Sequence, residues 1–254
     1  MNKQPILVKR MENIATIYLN RPEKKNAMTL DMWKQIPTIL SKLQHETEVN
    51  VVIIRGINEE VFCAGADIKE FTTERMNALS AQNYDNYLTE AGEALENFPK
   101  PVIAMVEGPC IGGGAELALA CDIRFSSDTG IFGITPAKIG LIYGVPQTKR
   151  LIDAVGPSRA KDILFSGRLL SSTEAQQIGL IDFVYPKETV VEETYNYARL
   201  LGTRSQATIK ATKIITKLIL EGKADKNFDH NHAYYSTDLH EGIKAFQEKR
   251  QPQF

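Results

Sequence analysis

Two kinds of apolar pattern run along this chain. Near the N-terminus, residues 6–10 and 14–20 carry β-branched residues on either side of Glu12 and Asn13, the pattern of a hairpin. The polar stretch NRPEKKNA then leads into a helix capped by Thr29 with Asp31 in its first turn. Pro37 is expected to kink or restart that helix. Residues 51–55, VVIIR, read as a short buried strand, and the small residues Ala64, Gly65 and Ala66 precede a helix starting near Asp67. An amphipathic helix over 80–98 follows, and Pro99 and Pro101 reset the chain into the apolar strand 102–106. Gly112, Gly113 and Gly114 form a turn with almost no side chains, opening a helix over 115–121. Residues 123–126 read as a strand, and 130–144 as a glycine-punctuated loop with an exposed Tyr143. Helices are expected over 145–155 and 157–165, and 180–185 closes the sheet. Beyond Pro186 the pattern is helical, over 187–202, 205–222 and 237–249.

This theme of strand, irregular loop and helix recurs at roughly fifty residues, which points to a stacked, spiral α/β body. The body spans residues 1–186, and 187–254 form a helical region suited to packing against a neighbour or to capping the body.

Composition narrows the class. At 254 residues with 43% apolar content the chain can bury a sizeable core. A net charge of −1 leaves no basic excess to hold a nucleic-acid backbone, and no juxtamembrane lysine cluster appears. Lys9, Arg10 and Glu12 interrupt the N-terminal apolar runs, so no signal peptide is expected, and no stretch reads as a transmembrane span. Three cysteines, Cys63, Cys110 and Cys121, are an odd number without CxxC spacing and argue against a disulfide framework or a zinc site. A cytoplasmic protein is expected.

The chemistry concentrates in VIAMVEGPCIGGGAELALACD. Glycines let a ligand touch peptide N–H groups directly, and the start of a helix adds unpaired donors and the positive end of its dipole. Such a place holds a developing negative charge. The alternative is a plain strand-to-helix turn. Glu116, in the first turn of a helix otherwise built of small and apolar residues, is either a satisfied N-terminal charge or a catalytic base. Ala64–Ala66 offer a second stretch of bare backbone. Arg21, Lys24 and Lys25 either meet an anionic group of a ligand or form a solvated loop.

FCAGADIKEF followed by PVIAMVEGPCIGGGAELALACDI resembles the crotonase superfamily, the enoyl-CoA hydratase/isomerase fold, and the likeness runs over nearly the whole chain. The resemblance implies a spiral of ββα turns and a helical trimerisation region, assembled as a homotrimer or as a hexamer of two trimers. It implies an acyl-CoA thioester substrate, with coenzyme A entering as part of that substrate and no metal or redox cofactor. By position it places the backbone N–H groups of Ala66 and Gly113 in an oxyanion hole around the thioester carbonyl, with Ala64, Ala66, Asp67, Ile68 and Lys69 bordering the acyl-CoA. Each such donor contributes about 2.7–4 kcal/mol of transition-state stabilisation. Lys249 and Phe246 match the C-terminal stretch that in relatives reaches the nucleotide end of CoA.

One departure bears on the reaction. Hydratases of the superfamily hold the attacking water with two glutamates, one after GGG and one in a later FGxPE motif. Glu116 matches the first; at the second this chain reads FGITPAK, with Ala137 in place of the carboxylate. Hydration needs one group to take a proton from water and one to deliver a proton to the α-carbon. The segment ITPAKIGLIYG resembles methylmalonyl-CoA decarboxylase, where a tyrosine and the same glutamate flank the acyl carboxylate, and Tyr143 and Glu116 match those positions. That enzyme's histidine is Ala66 here. Tyr143 is either a second catalytic group or a packing residue.

Three readings therefore stand: an acyl-CoA lyase leaning to decarboxylation of a β-carboxyacyl-CoA, a 2-enoyl-CoA hydratase, and a catalytically silent binding or scaffold relative. No GxSxG elbow supports a serine nucleophile. His230 and His232 make poor metal geometry, His45 and His240 read as surface, Cys110 and Cys121 read as small buried residues, and Glu107 either borders the pocket or caps a turn.

Overall fold

A computed structural model describes residues 4–74, 77–224 and 237–254. The opening hairpin forms as read: β1 (Ile6–Met11) pairs antiparallel with β2 (Ile14–Leu19), and Glu12 takes the left-handed conformation at the turn with φ of 56°. Strands β3 (Val51–Gly56), β4 (Val102–Val106), β6 (Ile123–Ser127) and β9 (Phe183–Tyr185) then join β2 in parallel, giving one six-stranded sheet in the order β1-β2-β3-β4-β6-β9.

The apolar runs of β3 and β4 are continuous because both faces of this sheet are buried. Val52, Ile54, Val102, Ala104 and Val106 enter the main core. Val51, Ile53, Ile103 and Met105 face a second core closed by α8 (Val190–Gly202), which contributes Val190, Tyr195 and Ala198. Tyr195 also shares a hydrogen bond of 2.8 Å with the Thr16 hydroxyl, so the helix just past residue 186 is tied to the sheet.

Helix α1 (Leu30–Gln44) begins where expected, with the Met32 N–H donating to Thr29 Oγ1 at 3.2 Å. Pro37 neither ends nor restarts it. Losing one helical hydrogen bond and accommodating the ring costs about 3 kcal/mol. The buried face of Met32, Trp33, Ile36, Leu40 and Leu43, packed beside α3 (Ala78–Asn97), outweighs that cost. Helices α2 (Ile68–Glu74), α4 (Gly113–Leu119), α5 (Val145–Val155), α6 (Pro157–Ser166) and α7 (Ser172–Gln177) complete the body. In α9 (Gln206–Leu220) no residue is buried, and in α10 (Thr237–Glu248) only Ala245 is.

One part of the sequence reading needs correction. Residues 130–144 are not a loop throughout, since β7 (Ile131–Gly133) and a 3-10 turn (Pro136–Ile139) lie within them. Together with β5 (Pro109–Ile111) and β8 (Leu169–Ser171), β7 builds a second, three-stranded sheet in the order β5-β7-β8. Strands of three residues are too short to display a period of two, and backbone pairing alone defines them.

Candidate active site

The small sheet brings the two bare turns together. Cys63 and Cys110 form a parallel bridge in which the Ile111 N–H donates to the Cys63 carbonyl at 2.9 Å and the Cys63 N–H donates to the Pro109 carbonyl at 3.1 Å. On the far side of the first turn, the Met28 N–H donates to the Gly65 carbonyl and the Asp67 N–H to the Met28 carbonyl, both at 2.8 Å. The second turn is anchored by the Gly112 N–H on the Gly133 carbonyl at 2.7 Å. The N–H groups of Ala66 and Gly113, between these anchors, donate to no acceptor among the described residues.

The two donors are close. A Cβ placed on Gly113 would sit 3.5 Å from the Ala66 nitrogen and 3.2 Å from Trp33 Cζ2. Gly65, at φ of 112°, holds a backbone conformation that side-chain-bearing residues rarely adopt.

Both turns open onto a cavity of about 280 Å³. Ala64, Ala66 and Gly113 line it, with Ile68 at the exposed, apolar mouth beside Ile139 and Ile142. Glu116 projects into it from α4 and is 3% exposed. Its Oε1 lies 3.8 Å from Nη1 of Arg150, a residue of α5 that is itself buried. Arg150 in turn grips Glu96 of α3 with Nε at 2.8 Å and Nη2 at 3.1 Å.

Tyr143 also lines the cavity, and the expectation that it is exposed is corrected: its ring packs against the main core and its hydroxyl is buried, with no hydrogen-bond partner among the described residues. Burial first, and then the neighbouring Glu116 charge, hold its pKa well above the ordinary phenol value despite the opposing Arg150. It is therefore a neutral donor at working pH. Ala137, by contrast, is exposed and stands outside the lining, which takes Thr135, Pro136 and Ile139 from the same stretch.

The remaining candidates sort by position. Asp67 does not line the cavity; it takes a hydrogen bond from Arg21 Nη2 at 2.9 Å and one from the Lys69 N–H in the first turn of α2, and Arg21 also donates to the Ala27 carbonyl. Burial works against the Asp67 charge, yet the Arg21 contact prevails and holds its carboxyl below the usual range. Arg21 thus ties the first turn to the preceding loop, and Lys69 lies exposed outside the lining. Phe246 and Lys249 are exposed at the end of α10, also outside it.

Glu107 pairs with Arg55 at 2.7 Å, away from the cavity. All three cysteines are free and buried; burial raises Cys63 and Cys121 to about 12 and Cys110 well above its ordinary value, so none is a thiolate nucleophile. His45 and His240 are exposed, while His230 and His232 lie outside the described residues. Among the described residues no group of three His, Cys, Asp or Glu side chains is arranged to hold a metal ion, and no helix is long and apolar enough to cross a membrane.

Arg150 and Gln147 are the site residues that sequence reasoning missed. They share the buried stripe of α5 with Leu151 and Val155, at spacings of three, four and eight residues from Gln147, which was the available signal. A larger cleft of about 900 Å³ opens on the other face of Arg150, between α5 and α9. Neither bare turn reaches it, so the chemistry belongs to the smaller cavity.

Comparison with known proteins gives the family and the fold. The sequence profile of the enoyl-CoA hydratase/isomerase family matches residues 9–254. The chain is 32% identical over 252 residues to the enoyl-CoA hydratase domain-containing protein 2, mitochondrial, of Bos taurus, covering 96% of this chain and 84% of that one. Among solved structures, it is similar to an enoyl-CoA hydratase/carnithine racemase from Magnetospirillum magneticum, with a TM-score of 0.95, 32% identity and coverage of 100% and 96% of the two chains. An enoyl-CoA hydratase from Bacillus anthracis gives a TM-score of 0.89 at 31% identity, covering 99% of each chain.

Proposed function

This chain belongs to the enoyl-CoA hydratase/isomerase family, and from that premise we propose that it is an acyl-CoA lyase whose Ala66 and Gly113 N–H groups hold the oxygen of a thioester enolate. Both donors are unspent and adjacent, and both open onto the cavity that Glu116 lines. Ala64 and Ile68 border the thioester in this reading, while Asp67 and Lys69 shape the turn from behind. Phe246 and Lys249 would meet the nucleotide end of CoA, from this subunit or a neighbouring one.

Within that class the preferred reaction is decarboxylation of a β-carboxyacyl-CoA. The observation that carries it is the pairing of one buried carboxylate, Glu116, with the buried, neutral hydroxyl of Tyr143, while Ala137 stands exposed outside the cavity. In such a reaction the bond between the α-carbon and the carboxylate breaks, its electron pair enters the enolate, carbon dioxide leaves, and a proton from solvent water takes its place on the α-carbon. No base is needed to form the enolate, and no electron leaves the substrate, so no redox cofactor is called for. Tyr143 orients the leaving carboxylate and Glu116 flanks it. Hydration is the second reading, favoured by the hydratase names of the relatives, with Glu116 directing the water.

Side-by-side turnover of methylmalonyl-CoA and crotonyl-CoA tests between them. Decarboxylation abolished by Glu116→Ala and reduced at least about 100-fold by Tyr143→Phe is the expected result. Efficient hydration that Tyr143→Phe leaves untouched would replace the first reading by the second. Turnover of neither substrate, with no acyl-CoA binding, would favour the silent relative.

The reading extends to assembly as a homotrimer or a hexamer. Its support is the apolar surface that α9 and α10 leave uncovered, including Ile219 at 60% and Phe246 at 86% exposure. A light-scattering mass of a single subunit would overturn it.

A further inference from the structure

Glu116 shares its buried surroundings with a cation that no step above employs. We propose that Arg150 is a positioning residue that keeps Glu116 ionised and turned toward the cavity, and that Glu96 sets how strongly it does so. The inference rests on the reading that Glu116 is a catalytic group.

The geometry has three parts. Glu96 takes the Nε and Nη2 edge of the guanidinium, at 2.8 and 3.1 Å, which fixes the plane of the fork. Gly92, one helical turn before Glu96 on α3, makes room for that plane: a Cβ there would lie 2.6 Å from both Nη1 and Nη2. The remaining Nη1 is buried, has no hydrogen-bond partner among the described residues, and stands 3.8 Å from Glu116 Oε1.

That separation has a chemical consequence. At 3.8 Å the charge of Arg150 still favours the carboxylate form of a side chain that is 3% exposed. Yet it is too long for a hydrogen bond, so Arg150 does not occupy the Oε1 lone pairs that a substrate or a water would need. A direct bidentate grip would also hold the charge, but it would take up the carboxylate oxygens themselves. Glu96 claims the better donors of Arg150 and thereby keeps the cation from closing on Glu116.

The other groups facing this cluster do not replace Arg150. Tyr143, from the loop before α5, is a neutral phenol, and Cys110, from β5, is a neutral buried thiol. Tyr84 of α3 is uncharged, and Asp85 of α3 lies exposed at the cavity rim and would only oppose the Glu116 charge. Lys149 lines the outer cleft and pairs with Asp153 at 2.5 Å. The pKa of Arg150 itself is raised above its ordinary value: burial lowers it, but the bonds and charge of Glu96, followed by the charge of Glu116, prevail.

Opposite substitutions should move Glu116 in opposite directions. Arg150→Met removes the cation, and the Glu116 carboxyl should titrate about one to three pH units higher. Glu96→Gln frees the cation to close on Glu116, and the same titration should move down while turnover falls. Gly92→Ala, by displacing the guanidinium, should reproduce Arg150→Met, and Arg150→Lys should restore part of the shift.

The experiment is infrared difference titration of the Glu116 carboxyl in the full-length protein, with Glu116→Gln as the blank, alongside the pH profile of acyl-CoA turnover. Shifts of opposite sign for Arg150→Met and Glu96→Gln support the proposal. A Glu116 titration that neither variant moves, or that both move the same way, overturns it. The infrared signal is independent of turnover. If it shifts as expected while Glu116→Gln stays fully active, the electrostatic coupling is real and it is the catalytic reading of Glu116 that fails.

Discussion

Gly113 and Gly114 are neighbours that answer to different constraints. A methyl group on Gly113 would enter the space beside the Ala66 N–H, 3.5 Å from its nitrogen, and press Trp33 at 3.2 Å, a contact that asks the ring to give by a few tenths of an ångström. On Gly114 it would strike the Cys63 carbonyl oxygen at 2.6 Å and the Cys63 Cβ at 2.7 Å, where both bare turns are fastened. Gly113→Ala is therefore expected to fold with little change in melting temperature and to lose roughly 100-fold or more in turnover, as for loss of one oxyanion donor. Gly114→Ala should destabilise the fold by about 1–3 kcal/mol through overpacking. Thermal melts and turnover on the two variants check this, and the reverse assignment would contradict the placement of the donors. The glycine run and Glu116 could be found in the sequence because small residues and a lone carboxylate stand out in an apolar stretch. Arg150 could not be found that way. A charged residue on a helix ordinarily reads as a solvated face, and only the fold reveals that Glu96, far away in sequence, supplies its counter-charge.

At the level of elements, length decides what a sequence announces. Helices α1, α3, α8 and α9 span three or more turns, long enough for their periodicity to show, and α1, α3 and α9 begin at side-chain caps; Thr29, for instance, caps α1 as its side chain allows. The runs in β3 and β4 are equally plain, because a parallel strand covered on both faces must be apolar throughout. Strands β5, β7 and β8 have three residues each, and nothing local marks them. Yet these are the elements that put Ala66 beside Gly113, through the pairing of Cys63 with Cys110 and of Gly112 with Gly133. The site was thus readable as two separate bare turns. The family resemblance joined them as one oxyanion hole, and the structure supplies the physical cause of their adjacency in nonlocal hydrogen bonds, which residue patterns do not encode. Pro37 shows the converse: a local rule for breaking a helix gives way to the burial of its apolar face.

At the scale of the whole molecule, one more buried charge pair stands among the described residues, and its pH behaviour is a property of the fold rather than of the site. Glu107, at the end of β4, is 1% exposed and faces Arg55 of β3 at 2.7 Å. Burial raises its carboxyl from 4.5 to about 7; Arg55 opposes that shift and Glu59 adds to it. Between those two values the folded chain holds a proton that the unfolded chain has released, so unfolding loses a proton and rising pH favours the unfolded state. This group's contribution is most favourable below about pH 4.5, declines as pH rises to about 7, and is constant above, a total on the order of 3 kcal/mol. Glu107→Gln keeps an acceptor opposite Arg55 while removing the titration. Urea unfolding at pH 5 and pH 8 should therefore show the wild-type chain losing more stability across that interval than the variant. Equal losses would mean that Arg55 keeps Glu107 ionised throughout, and that the pair is held by attraction strong enough to outweigh its burial.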